Sequence, residues 1–96
     1  MYEFDDFEWD EAKAETNFAK HGFDFNNAWQ VFADPMAKTL VSPQNEELRY
    51  RTIGICEGKL ASVVHTERNG NCRIISMRHV WDSERKTYYG DSTKNF

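Results

Sequence analysis

Apolar and polar side chains alternate through two adjoining stretches of the second half of the chain, 59–68 and 71–78, with Asn69-Gly70 between them. Alternation with a period of two marks strands that have one face covered. Asn-Gly tolerates the positive φ that both central residues of a type I′ turn adopt, so the pattern predicts a tight hairpin. With Asn69 and Gly70 as the turn, Arg68 opposes Asn71, Glu67 opposes Cys72, His65 opposes Ile74 and Val63 opposes Ser76. One face then carries Val63, His65, Glu67, Cys72, Ile74, Ser76 and Arg78. The other carries Leu60, Ser62, Val64, Thr66, Arg73, Ile75 and Met77. The second set reads as the core side and the first as the open side.

The rest of the chain divides by the same logic. Residues 10–21 predict a helix with Asp10 as N-cap, Glu11 in the first turn, Lys20 and His21 in the last, and Gly22 as the left-handed stop. A second, shorter helix starts at Asp24 or Asn26 and ends near Ala33. Its Ala28, Val31 and Phe32 share a face, and Asp34-Pro35 terminates it. Strands follow at 36–41 and 48–56, separated by a polar loop containing Pro43, and Glu57-Gly58 turns the chain into 59–68. That turn sets Thr52 against Val63 and Tyr50 against His65, leaving Arg49, Arg51, Ile53 and Ile55 on the opposite face. A last helix covers 84–89, capped by Asp82 or Ser83. Residues 1–8 read as an extended entry segment and 90–96 as a mobile polar tail. The fold class is α+β: two N-terminal helices packed on a four-stranded antiparallel sheet, with a short C-terminal helix, all in one domain spanning 1–96.

Aromatic residues make up 15% of the chain, which favours a packed globule over disorder. The acidic opening Met1-Tyr2-Glu3-Phe4-Asp5-Asp6 lacks the order of a signal peptide, and no apolar run reaches the length of a membrane span, so a cytoplasmic location without membrane contact is expected. Cys56 and Cys72 are neither cross-strand partners nor in a Cys-x-x-Cys spacing, and read as buried reduced thiols. The net charge of −4 speaks against a general nucleic-acid binder, but the charge is unevenly spread. Residues 1–48 carry a balance of −8 and residues 49–96 a balance of +4, so the hairpin half is basic and suits a phosphate-binding groove.

On the expected open face, an imidazole (His65), a guanidinium (Arg78) and a phenol (Tyr50) come together. Cleaving RNA without a metal needs a base for the ribose 2′-OH, a cation for the charge that develops on phosphorus, and an acid for the leaving 5′-oxygen. His65 can serve as acid or base near neutrality. The Arg78 fork can grip two phosphate oxygens.

The order Trp9-Asp10, Lys13, Asn17, Lys20-His21-Gly22, Phe25, Ala28, Val31-Phe32, Asp34-Pro35, Arg49, Ile53-Gly54, Gly58, Val63-Val64-His65-Thr66-Glu67-Arg68, Arg73-Ile74-Ile75-Ser76, Arg78, Glu84-Arg85 and Tyr88 resembles the BrnT family. The resemblance runs from about Glu8 to Tyr89. It implies a RelE/ParE-like fold and a toxin of a type II toxin–antitoxin module that cleaves RNA on the sheet surface. It also implies a BrnA-like antitoxin partner with a ribbon-helix-helix part, through which the pair binds and represses its own operator DNA. No cofactor is implied. On this resemblance Lys20, His21 and Arg49 join His65 and Arg78 as candidate catalytic residues. Arg68, Tyr50, Tyr88 and Arg85 are candidates for binding the RNA. The chain departs from the family's pattern at Leu48, where an acidic residue is common, and at His65, where tyrosine is common. A non-catalytic reading stands beside the enzymatic one: an antitoxin-binding co-repressor or degenerate toxin.

Overall fold

A computed structural model describes residues 6–42 and 48–90. Among the described residues, five strands and three α-helices follow one another as β1 (Phe7–Glu8), α1 (Glu11–His21), α2 (Trp29–Ala33), β2 (Lys38–Ser42), β3 (Arg49–Cys56), β4 (Lys59–Arg68), β5 (Asn71–His79) and α3 (Asp82–Tyr89), with a 3-10 turn at Phe25–Asn27 before α2. The sheet order is β1-β5-β4-β3-β2. The expected four antiparallel strands are thus replaced by five in a mixed sheet. The entry segment contributes β1, which pairs in parallel with β5 (Phe7 beside Cys72, Glu8 beside Arg73). A two-residue strand leaves no alternation to detect in the sequence. The expected pair of N-terminal helices also changes. Only α1 is long, and the second becomes a 3-10 turn, capped by Asp24 onto the Asn26 N–H, followed by five residues of α-helix. Residues 1–5 of the entry segment, the Pro43 loop residues 43–47 and the tail residues 91–96 lie outside the described residues.

The local signals act as chemistry requires. The Asp10 carboxylate accepts from the N–H groups of Ala12 and Lys13. Gly22 closes α1 at φ 79, its N–H returning to the Phe18 carbonyl. Glu57-Gly58 and Asn69-Gly70 have positive φ throughout (51 and 77, 55 and 83), the type I′ geometry that matches strand twist. α3 starts from Trp81 rather than Asp82 or Ser83. The Glu84 carboxylate reaches back to accept from the Trp81 N–H at 2.9 Å.

Tyr50 faces His65 and Thr52 faces Val63 across β3 and β4, and the β4–β5 register holds from Arg68–Asn71 to His65–Ile74. Beyond that point it slips. Val64 pairs with Ser76, Val63 with Met77 and Ser62 with Arg78, leaving Ile75 as one extra residue on β5. This β-bulge reverses the facing of everything after it. Cys72, Ile74 and Met77 all enter the core with Val63, under Phe23, Phe25, Val31 and Phe32. Arg78 emerges on the other side.

The covered face is therefore the one expected to be open. His65 is 3% exposed. Its Nε2 lies 2.7 Å from the Thr52 hydroxyl, and its ring packs edge-on to Phe32 at 4.9 Å and stacks on Tyr50 at 5.7 Å. The opposite face is partly covered by α3, through a small cluster of Ile53, Leu60 and Tyr88. Trp29 and Trp81 are exposed. Both cysteines are free and buried.

The sheet edges are closed by side chains. Past the end of β2, the Asp34 carboxylate accepts the Ile55 N–H at 3.0 Å and the Tyr88 hydroxyl at 2.6 Å. Past the end of β1, the buried Asn17 amide donates to the Met77 carbonyl at 2.9 Å and accepts the Met77 N–H at 3.1 Å. This pins α1 along the free edge of β5.

Candidate active site

Residues 13, 16, 17 and 20 fall on one side of an α-helix. In α1 this side holds Lys13, Thr16, Asn17 and Lys20 and looks across a groove at the bulge, Ile75 and Ser76, with His21 at its far end. Asn17 fixes the separation of the groove's two walls. The side of α1 bearing Glu11, Glu15 and Phe18 lines a different depression with Asp24. The helix is basic toward the sheet edge and acidic away from it.

Beside the groove, the face carrying α3 is built around Glu84. Its side chain is 1% exposed and is gripped by Arg78 in a fork, at 2.8 and 3.0 Å, and by Arg51 at 2.7 Å. The Ser62 hydroxyl adds a bond at 3.2 Å. Burial alone would raise the Glu84 pKa. The Arg78 hydrogen bonds, the Trp81 N–H, the Arg78 charge and the Arg51 bond outweigh it and bring it down to about 2. The Trp81 ring covers the Arg78 guanidinium at 3.8 Å, a cation–π contact.

His21 stands within the field of these cations. Partial burial lowers its pKa from the ordinary 6.5, and the charges of Lys20, Arg78 and His79 lower it further. Neutral imidazole is thus the favoured form at pH 7, able to accept a proton.

The sequence-predicted residues separate into two groups. Lys20 and His21 meet in the α1 groove, and Arg78 lies close enough to act on His21. Arg49 and Arg68 line an adjoining cleft. His65 does not join them. It is on the other side of the sheet from Arg78, and burial depresses its pKa to about 4. Placing these two groups on one open face is overturned by the Ile75 bulge. Tyr50 is half-buried against His65. Tyr88, a candidate for binding the RNA, is buried, and its hydroxyl is committed to Asp34. Burial, the Asp34 bond and nearby charge push its pKa up to about 12. Arg85 is exposed on α3. The sequence places Arg51 on this side of the sheet, but its meeting with Glu84, Arg78 and Trp81 carries no local signal. The Lys13–Lys20 spacing of seven was the available signal for the helix wall. Among the described residues, no three His, Cys, Asp or Glu side chains converge as a metal site would require.

A small α+β domain with a basic groove along a helix-closed sheet edge defines a class able to hold a polyanion. Residues 9–84 match the family described as ribonuclease toxin, BrnT, of type II toxin–antitoxin systems, and the chain belongs to that family. Membership in a type II system implies an antitoxin partner. No curated protein matches the chain. Among the described residues, no helix is long and apolar enough to cross a membrane.

Proposed function

We propose that the chain is an endoribonuclease toxin that cuts RNA in the groove between α1 and the β5 bulge, with His21 in the proton-transfer role first given to His65. Neutral His21 takes the ribose 2′-OH proton. The 2′-oxygen attacks phosphorus, and Lys20 and Arg78 stabilise the charge that builds on the phosphoryl oxygens. The bond to the 5′-oxygen breaks, and that oxygen leaves with a proton from the Lys20 ammonium. The products are a 2′,3′-cyclic phosphate and a 5′-hydroxyl. The observation that carries this reading is a lowered-pKa imidazole beside Lys20 and within the field of Arg78, at the mouth of a basic groove.

Activity is held in check by a BrnA-like ribbon-helix-helix antitoxin, and the pair represses its own operator through the antitoxin's DNA contact. The site operates in the cytoplasm, where cutting RNA inhibits translation.

The test is cleavage of RNA by the purified protein in EDTA, with analysis of the new ends. His21→Ala should slow cutting about a hundredfold or more while the circular dichroism stays native. Undiminished cutting by that variant, or loss of wild-type cutting in EDTA, overturns the scheme. A second, non-catalytic reading draws on one observation: the Arg78 fork is already engaged by Glu84. Harmless expression without the antitoxin would favour that co-repressor role.

A further inference from the structure

A second cleft adjoins the α1 groove, sharing Asp10, Lys13 and Ile75 with it, and encloses about 190 Å³. Its walls bring together cations from three separate segments: Lys13 from the first turn of α1, Arg49 from the start of β3, and Arg68 and Arg73 from the two sides of the hairpin. One carboxylate among the lining residues, Asp10, is occupied in capping α1. Arg73 is tied to Glu8 of β1 at 2.9 Å, which fixes its position at the cleft wall. Arg49 Nε is buried with no hydrogen-bond partner among the described residues. A buried donor left unsatisfied is costly and calls for an acceptor. Lys13, Arg49, Arg68 and the Glu8-paired Arg73 bring an excess of positive charge to one small polar cleft, a setting that an entering anion stabilises.

We propose that this cleft is a phosphodiester-binding subsite, separate from the cleavage centre, that holds a neighbouring phosphate of single-stranded RNA. The identity of the anion rests on the ribonuclease reading. Lys13 precedes His21 by eight residues, about 12 Å along the helix axis. That distance exceeds the roughly 3.4 Å rise of one stacked nucleotide. The subsite therefore engages a phosphate more than one stacked step from the bond cut at His21. Its contacts go to the backbone, so they add affinity and register without reading base identity.

The experiment measures equilibrium binding of a fluorescent, uncleavable 2′-O-methyl RNA oligonucleotide across a range of salt concentrations. Arg49→Gln and Arg68→Gln should each weaken binding roughly fivefold to tenfold and reduce the steepness of the salt dependence by about 0.7. Lys59→Gln removes an equal charge at the far end of β4, about 30 Å from Arg68 along the strand, and should leave both quantities near wild type. If Arg49→Gln does not fold, the exposed Arg68→Gln decides the matter. Wild-type affinity and slope in the folded cleft variants, or an equal loss in Lys59→Gln, overturns the subsite. Failure of the ribonuclease reading looks different: the wild-type protein then neither binds nor cuts RNA. Normal cutting by His21→Ala would displace the catalytic centre and leave this binding result intact.

Discussion

The Arg78 guanidinium meets the Glu84 carboxylate fork to fork across the junction of β5 and α3, six positions apart in the chain, with two bonds of 2.8 and 3.0 Å. One buried carboxylate thereby anchors the C-terminal helix and orients an arginine whose charge acts on His21. Removing one partner of a buried ion pair is far more costly than the pair's net worth, because the other charge stays desolvated. Glu84→Ala should lower the unfolding free energy by about 3–5 kcal/mol in urea titration. An effect under 1 kcal/mol would show that the fork is incidental to stability.

Asn17 performs for β5 what a neighbouring strand would have done. Asn17→Ala strands the N–H and carbonyl of Met77 at a buried edge, and should cost about 2–4 kcal/mol. The Met77 amide should also exchange with solvent much faster, which hydrogen-exchange NMR reads directly. Unchanged protection would mean that another group closes this edge.

Acid should weaken the fold in two stages. His65 has its pKa depressed from 6.5 to about 4, so below 6.5 the unfolded chain binds a proton that the folded one refuses. Its contribution is complete above pH 6.5 and is lost as the pH falls toward 4. Glu84, depressed from 4.5 to about 2, adds a second loss between those values. Each stage amounts to roughly 3 kcal/mol. His65→Gln should flatten the urea midpoint between pH 6.5 and 4.5 and leave the lower stage in place.

The rate of RNA cleavage should fall on the acid side as His21 becomes protonated, with an apparent pKa below the ordinary 6.5. Lys20 contributes to that lowering, so Lys20→Gln should shift the acid limb upward while reducing the plateau rate. A limb that stays put would separate Lys20 from His21.

Gly54 lies where α2 crosses β3. A Cβ there would stand 2.8 Å from the Val31 carbonyl oxygen and 3.1 Å from Val31 Cγ1. Gly54→Ala must push the helix off the sheet and should destabilise by about 1–3 kcal/mol in thermal or urea unfolding. Wild-type stability would show that α2 yields at little cost.

Local chemistry was legible in the chain. Asp10, Gly22, Asp34-Pro35, Glu57-Gly58 and Asn69-Gly70 act through their own backbone preferences, so helix ends and hairpin turns could be placed before any contact was known. Pairing near each turn followed, since a two-residue loop fixes the register beside it. The presence of Lys20, His21, Arg49, Arg68 and Arg78 could be read in the same way, as could the basic balance of the second half. Which of them meet could not. Alternation states which residues share a face and leaves open which face the helices cover. A single extra residue at Ile75 exchanges the faces beyond it without disturbing the apolar pattern, because Ile74, Ile75 and Met77 read equally well in either phase. β1 escaped notice because two residues carry no period. The partnership of Glu84 with Arg51 and Arg78, the burial of His65 and the approach of His21 to Arg78 all depend on segments far apart in the chain. Those relationships are settled by packing, where the free energy of a contact depends on what the rest of the fold brings to it.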